Sequence, residues 1–417
     1  MRLLFPVVPR ELYLSKMSIS VNLSELSTGL HSLAVFRQLL SDPVIESLLY
    51  YLECRESGST YLAVSAYGEF VSKLYGSHET NLSRYIKHAV NNDENIYVKS
   101  IGRGEAIPKS LAENVDAELD ILQQVCSLSP EILRDGLNWD GFMPSFESEE
   151  YQLKDKYKHR AENIEKYGYG IYAKYRMFRI DGDDHIVPVI NPDNTRLSDL
   201  IDYKREQQII LDNTKALLAG KPAANVLLSG DAGTGKSSTV KAVVNELFEQ
   251  GLRIIEVRKE QLREIPVILD ELSGNPLKFI LFIDDLSFQK DDDNFSALKA
   301  ILEGTVSAKS NNVVIYATSN RRHLVKEKFS DRDGDDIHHN DTMQETISLS
   351  ERFGIQITFQ RPDKKTYLGI VHHLADSKGI TYDAQTLDAE AEKFALMRGT
   401  RSARAAKQFV DSLLANK

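Results

Sequence analysis

The sequence predicts an α/β fold: a parallel sheet flanked by helices, preceded by a mainly helical domain and followed by a small C-terminal helical module. Three observations carry this expectation. Between residues 28 and 138 apolar residues recur at helical spacing. From residue 226 onward, short apolar runs alternate with helical segments, the pattern of a parallel sheet with crossover helices. Residues 225–238, N-V-L-L-S-G-D-A-G-T-G-K-S-S, join a buried strand to a Gly-rich turn and a helix start.

The chain has 417 residues, 42% hydrophobic and 27% charged, enough for about two to three domains. Its net charge of −10 gives no global basic signature for nucleic acid, so any such surface has to be local. Cys54 and Cys126 show neither metal-ligand spacing nor a disulfide framework, which fits small core residues in a reducing cytoplasm. No run approaches the roughly 18 apolar residues of a membrane span. The opening M-R-L-L-F-P-V-V-P-R has too short an apolar part for a signal peptide and is broken by Pro6 and Pro9. Met17 begins a fresh polar start, so residues 1–16 read as an extension and Met17 as the native initiator.

In chain order, residues 17–147 form the helical N-terminal domain. Leu33, Phe36, Leu39 and Leu40 open it, and Val44, Leu48, Leu49 and Leu52 continue the apolar face. Further helices are expected over 61–74, 81–90 and 107–128. No catalytic constellation appears here, and an interaction or assembly role is the default.

Residues 148–191 read as a linker carrying a hairpin. Its first part interleaves Lys154, Lys156, Lys158, Arg160, Lys166 and Lys174 with Tyr151, Tyr157, Tyr167, Tyr169, Tyr172 and Tyr175. Cations that track phosphates and aromatic faces that stack bases make single-stranded nucleic acid conceivable. Interspersed Glu and Asp dilute the charge, so a linker whose tyrosines pack on neighbouring segments is favoured. The hairpin spans 175–190 around Asp181-Gly182-Asp183-Asp184.

Residues 192–360 form the nucleotide-binding core. A helix is expected over 197–218, ended by Gly220 and Pro222. Strands follow at 226–228, 252–257, 279–283, 313–317 and 355–359, with helices at 239–248, 261–272 and 294–303. Residues 361–417 are the helical lid, with helices over 364–377, 383–397 and 400–415.

The turn 230–237 fits G-x-x-x-x-G-K-[ST]. Its residues Gly230, Asp231, Ala232, Gly233, Thr234, Gly235, Lys236, Ser237 and Ser238 are the phosphate-binding candidates. Glycines let backbone N–H groups curl round a polyphosphate, and a helix N-terminus adds partial positive charge. Lys236 is suited to the β- and γ-phosphates, and the Ser237 hydroxyl to Mg²⁺. Asp284 ends an apolar strand one strand–helix–strand unit later, where a carboxylate holds Mg²⁺ through its water shell. Asp285 beside it is the candidate to orient the attacking water. Asn320 ends the next apolar strand, where its amide can meet the γ-phosphate or that water. Ligands bind at the carboxyl ends of such strands.

Gly230 to Ser237, Ile283-Asp284-Asp285, Ala317-Thr318-Ser319-Asn320 and Ser350-Glu351-Arg352-Phe353 resemble the successive motifs of AAA+ ATPases: Walker A, Walker B, sensor 1 and the arginine-finger box. The likeness covers residues 197–417. The phrases F-I-L-F-I-D-D-L-S-F, I-Y-A-T-S-N-R-R-H-L and I-S-L-S-E-R-F-G further resemble an uncharacterised bacterial AAA+ family, domain of unknown function 815. The resemblance implies ATP and Mg²⁺ as cofactors, hydrolysis of ATP to ADP and phosphate, and a homo-oligomer acting on an unknown protein or nucleoprotein partner. It implies that Arg352 is a finger reaching a neighbouring subunit's γ-phosphate, against the plain alternative of a surface Arg paired with Glu351 or Glu345. Either Arg401 or Arg404, in G-T-R-S-A-R, matches sensor 2, and spacing does not decide between them. Leu200, Ile201 and Tyr203 stand where such proteins contact adenine, unless they are ordinary helix packing.

Two departures qualify the likeness. Asp285 stands where many members carry Glu, which implies hydrolysis that is slow or dependent on assembly. Asp-Asp at this point is similar to replication initiators and helicase loaders, which work largely as switches. The segment after Val257, R-K-E-Q-L-R-E-I-P, has no aromatic-Gly pair, which argues against polypeptide threading. Initiators also carry a DNA-binding domain after the lid, and this sequence stops at the lid. The acidic loop 326–341 does not match a Ca²⁺ loop, whose sixth and twelfth positions require Gly and Glu, and reads as a solvated insertion. His372 and His373 point to different faces of a helix, which argues against a shared metal.

Overall fold

The computed structural model describes residues 21–288, 293–303, 311–320 and 349–415. The N-terminal extension with its Met17 start and the acidic loop 326–341 lie outside these residues. The chain divides into two compact units, Met1–Tyr97 with Ile107–His159, and Val98–Ala106 with Arg160–Lys417.

The first unit is helical: α1 (Leu23–His31), α2 (Pro43–Glu56), α3 (Thr60–Gly76), α4 (Leu82–Asn92), the start of α5 (Ile96–Gly102), α6 (Lys109–Cys126), α7 (Pro130–Arg134) and most of α8 (Leu153–Glu162). Its helices start where the sequence supplies caps. Asn22, Asp42, Ser59 and Asn81 each accept backbone N–H bonds of the first turn, and Pro43 takes the first helical position, where its missing N–H costs nothing. Leu30, Phe36, Ile45, Leu48, Tyr67, Phe70, Ile86, Leu119 and Leu122 fill its core. Each contributes about 1.5–3 kcal/mol when fully removed from water. The buried Glu118 of α6 accepts from the N–H groups of Ala34, Val35 and Phe36 at 2.9–3.1 Å, pinning the turn after α1.

The tyrosine-lysine stretch is used for packing. Tyr157 lies edge-on to Phe36 with ring centres 5.3 Å apart, while Lys154 and Lys158 pair with Asp120 and Asp116, each at 2.7 Å. Tyr169 and Tyr172, in the second unit, are buried as well, and Arg160 lies over the Tyr167 ring at 4.6 Å.

The second unit is built on a seven-stranded sheet in the order β2-β1-β4-β5-β6-β3-β7. The strands are β1 (Met177–Ile180), β2 (Ile186–Pro188), β3 (Val226–Gly230), β4 (Leu252–Glu256), β5 (Lys278–Ile283), β6 (Val313–Ser319) and β7 (Ile355–Phe359). All neighbours run parallel except β1 and β2. Short helices α9 (Ile164–Tyr167) and α10 (Ile171–Lys174) lead into the sheet, and α11 (Lys204–Leu218), α12 (Lys236–Leu247), α13 (Ile265–Leu272) and α14 (Asp293–Glu303) connect its strands. The run F-I-L-F-I has no polar alternation because both faces of β5 are covered. Phe279, Leu281 and Ile283 join a core with Ile265, Ile268 and Leu298, while Ile280 and Phe282 join another with Ile210, Val240 and Val243. The lid is α15 (Lys364–Ser377), α16 (Ala384–Arg398) and α17 (Ala403–Ala415), packed around Tyr367, Val371, Ala391, Ala406 and Val410.

Two sequence expectations are corrected. The hairpin expected within a linker is part of the main sheet: β1 pairs in parallel with β4, Met177 opposite Ile254. Phe178 and Ile180 are buried in the same core as Ile255 and Leu281, and that burial holds the hairpin there. The helix expected over 197–218 begins at Lys204. A short 3-10 turn, Leu197–Asp199, precedes it, and Tyr203 adopts a left-handed backbone with φ of 65°. The Gln207 amide folds back on the carbonyls of Leu200 and Asp202 at 3.0 and 2.8 Å, stabilising this break.

Candidate functional site

The exit of β3 turns sharply because Gly230 sits at φ 138°, where an added Cβ would come within 2.1 Å of the Phe359 carbonyl oxygen on β7. The loop continues through Asp231, Ala232 and Gly233. The Thr234 hydroxyl donates to the Asp231 carbonyl at 2.8 Å, and Gly235, again left-handed, caps α12. Lys236 is the first helical residue and is buried. Its ammonium donates to the carbonyls of Gly230 and Asp231 at 2.8 and 2.9 Å and to Asn320 Oδ1 at 3.0 Å. Burial holds its pKa below the ordinary lysine value, while Asp284, Asp285 and Asp231 pull the other way. Ser238, in the first turn of α12, is partly buried.

The neighbouring strands bring the acids to this loop. Register places Ile283 opposite Ala317, so Asp284 leaves β5 beside Thr318 on β6. Asp284 Oδ1 accepts from the Ser237 hydroxyl at 2.6 Å and from the Thr318 hydroxyl. Asp285 has a left-handed backbone, φ 54°. Its N–H donates to Thr318 Oγ1 at 2.9 Å, and its carboxylate accepts from Asn320 Nδ2 at 2.7 Å. Lys236, Asn320, Asp285, Thr318, Asp284 and Ser237 therefore form one continuous hydrogen-bonded chain across three strand ends. Ser237 Oγ and the Asp284 carboxylate make an all-oxygen donor pair, which fits a hard cation such as Mg²⁺.

The lid reaches the same loop. The Arg404 N–H donates to the Gly233 carbonyl at 3.2 Å, and its Cβ and the Ser402 hydroxyl border the space over Gly233. The Arg404 charge also acts on Lys236, lowering its pKa further. Arg401 lies elsewhere: its guanidinium forks onto Glu392 at 2.8 and 3.0 Å. Ile201 packs on the lid core, whereas Tyr203 packs on the sheet core with its ring 4.7 Å from that of Phe359. These two side chains thus span the seam between core and lid. The Arg352 guanidinium bonds to Glu303 of α14, an acid that neither charge-pattern alternative named.

Two contacts at the site escaped the sequence reading. The Thr318 hydroxyl is one: the residue stands in the motif A-T-S-N, where only Asn320 was given a role. Arg361 is the other: just past β7, it pairs with the loop residue Asp231 at 3.2 Å. Away from the site, Asp181, Asp183 and His185 lie close together in the hairpin turn. Asp181 accepts the N–H groups of Asp183 and His185 at 2.9 Å, so its carboxylate serves the turn. His372 in the lid bonds to Asp388 at 2.7 Å and to the Tyr382 hydroxyl at 3.1 Å.

The chain belongs to the family described as Protein of unknown function (DUF815), whose model matches residues 173–417. That match opens just before β1, so it takes in the hairpin as well as the phosphate loop. No curated protein matches the chain. Among solved structures it is similar to the RuvB Holliday junction branch migration motor of Thermotoga maritima. There the identity is 16%, the coverage 52% of this chain and 63% of that one, and the TM-score 0.35. It is also similar to the structure of the E. coli MS115-1 HORMA:CdnC:Trip13 complex, at 12% identity, 53% and 93% coverage and a TM-score of 0.36. C. elegans PCH-2 gives 16% identity, 51% and 63% coverage and a TM-score of 0.36. The chain thus spans less than two thirds of the RuvB and PCH-2 chains. Among the described residues no helix is long and apolar enough to cross a membrane.

Proposed function

We propose that this chain binds ATP with Mg²⁺ and hydrolyses it to ADP and phosphate, working as an oligomeric switch that remodels or loads a protein or nucleoprotein partner. The observation that carries this reading is the hydrogen-bonded chain from Lys236 to Ser237, which gathers a phosphate-type loop, two acids and an amide at adjacent strand ends. The backbone N–H groups of residues 231–237 and the start of α12 cradle the polyphosphate. Lys236 exchanges its carbonyl partners for phosphate oxygens. Ser237 and Asp284 hold Mg²⁺, which when bound neutralises phosphate charge. Asp285, aimed by Asn320, orients the attacking water. Arg404 approaches from the lid, Ile201 and Tyr203 flank the base, and Arg352 reaches a neighbouring subunit's nucleotide after leaving Glu303. The buried, unpaired Cys54 and Cys126 suit the reducing cytoplasm.

A second reading, a nucleotide-gated scaffold with little turnover, is favoured by one observation. Asp285 is a short carboxylate already bound to Asn320 at 2.7 Å, so it is restrained from moving toward a water. Steady-state phosphate release separates the two. The enzyme reading expects wild type to exceed Lys236→Ala clearly, and equal rates with or without DNA would leave only the scaffold. Full turnover by assembled Arg352→Ala would remove the trans role of Arg352.

A further inference from the structure

We propose that Thr318 is a positioning residue that sets both acids of the site through one hydroxyl, a role resting on the nucleotide reading above. Thr318 is only 1% exposed, so water does not compete for its side chain. Its hydroxyl donates its one proton to Asp284 Oδ1, which leaves the oxygen's lone pairs for the Asp285 N–H at 2.9 Å. The Thr318 carbonyl accepts the Leu286 N–H at 2.7 Å. One residue of β6 therefore grips three consecutive positions of the turn that leaves β5.

That grip explains a backbone feature of the site. A left-handed Asp costs free energy unless its surroundings enforce the conformation. At Asp285 the enforcement comes from the Thr318 hydroxyl before the turn and the Thr318 carbonyl after it. The left-handed backbone in turn delivers the Asp285 carboxylate to Asn320. On the other side, Thr318 and Ser237 converge on the same Asp284 oxygen. The donor pair Ser237–Asp284 is thus pre-set by a buried residue that acts through Asp284. A Val at 318 keeps the shape and β-branching but removes the proton offered to Asp284 and the acceptor offered to Asp285. A Ser keeps both.

The test uses the full chain with Thr318→Val and Thr318→Ser, read by binding of a fluorescent ATP analogue as Mg²⁺ is titrated and again in EDTA, with phosphate release measured in parallel. Thr318→Val is expected to raise the Mg²⁺ concentration for half-maximal binding by tenfold or more and to cut phosphate release by a similar factor. Its affinity in EDTA should match wild type, and Thr318→Ser should restore both losses. A Thr318→Val protein with wild-type Mg²⁺ dependence overturns the proposal. So does an equal loss with and without Mg²⁺, which marks a general packing defect, or a Ser variant no better than Val. If wild type itself binds no nucleotide, the nucleotide reading falls and this proposal with it. If wild type binds and only the variants behave alike, the nucleotide reading stands and this proposal alone fails.

Discussion

Replacing each lid arginine by Ala tests which of them serves the nucleotide. Arg404 meets the loop through its own N–H, bonded to the Gly233 carbonyl at 3.2 Å, and its charge is felt by Lys236. Arg404→Ala keeps the main-chain bond, so the start of α17 stays docked and only the charge is lost. A hydrogen bond to a charged group contributes about 1.5–3 kcal/mol. At about 1.4 kcal/mol per factor of ten, ATP affinity should fall roughly ten- to hundredfold. Arg401→Ala breaks the fork onto Glu392, which retains Lys364 at 3.6 Å. That variant should melt at a lower temperature and bind ATP as wild type does. The assay is titration of a fluorescent ATP analogue at fixed Mg²⁺ and ionic strength, with thermal unfolding of the same samples. Loss of affinity in Arg401→Ala but not in Arg404→Ala, or equal losses in both, would refute the reasoning.

Gly230→Ala places a Cβ within 2.1 Å of a backbone oxygen on β7, at a φ that side chains rarely adopt. The backbone strain alone is about 1–3 kcal/mol, so nucleotide titration should show no binding and urea unfolding a clearly lower midpoint. Glu118→Ala strips three N–H groups of their acceptor. With each orphaned donor costing about 1–3 kcal/mol, and water reaching the partly exposed ones, unfolding should cost roughly 3 kcal/mol less. Glu118→Gln should recover part of that, and a Glu118→Ala protein as stable as wild type would contradict this role. In the lid, Arg401 foremost and Lys364 hold Glu392 below the ordinary carboxylate range, and hydrogen bonds from Thr366 and Thr386 do the same for Asp363 and Asp383. Folded pKa values below the unfolded ones mean stability that is complete above the ordinary values of 4.5 and 3.8 and is lost as pH falls through the lowered ones. Thermal unfolding followed from pH 7 to pH 3 should show this loss, and Glu392→Gln should remove the part that begins near 4.5 while leaving that of Asp363 and Asp383.

What the sequence disclosed here follows from where information is local. Strand ends in Asp or Asn and a Gly-rich turn are each marked by a few adjacent residues, so the convergence of Asp284, Asn320 and Lys236 at one edge of the sheet was legible. The pairing of β1 with β4 was not, because register between distant strands is written in burial on the assembled sheet. Arg401 and Arg404 stand three apart at a helix start, and only the lid's docking on Gly233 tells them apart. Arg253 in L-R-I-I-E drew no reading from the sequence. It is buried, donating to the carbonyls of Tyr172, Phe248 and Leu252 at 2.7–3.0 Å. Two of these carbonyls, Tyr172 and Phe248, lie outside β4, and no local pattern encodes the more distant one. Thr318 stood within the A-T-S-N motif, but its partners Asp284 and Asp285 come from the neighbouring strand end, so only the register of β5 and β6 reveals what its hydroxyl does.

The same connectivity bears on whether the site is an engine or a switch. Lys236 holds Asn320 by its Oδ1, and Asn320 holds Asp285 by its Nδ2. On the proposed reading, a phosphate that draws the Lys236 ammonium away releases one end of the Asn320 amide. The same amide holds the Asp285 carboxylate, so on that reading a shift of Lys236 is passed through Asn320 to the acid proposed to orient water. A longer carboxylate at 285 would reach past Asn320 and weaken this dependence. On the proposed reading, such a connection lets phosphate contact at Lys236 be felt at Asp285 through a single side chain, Asn320.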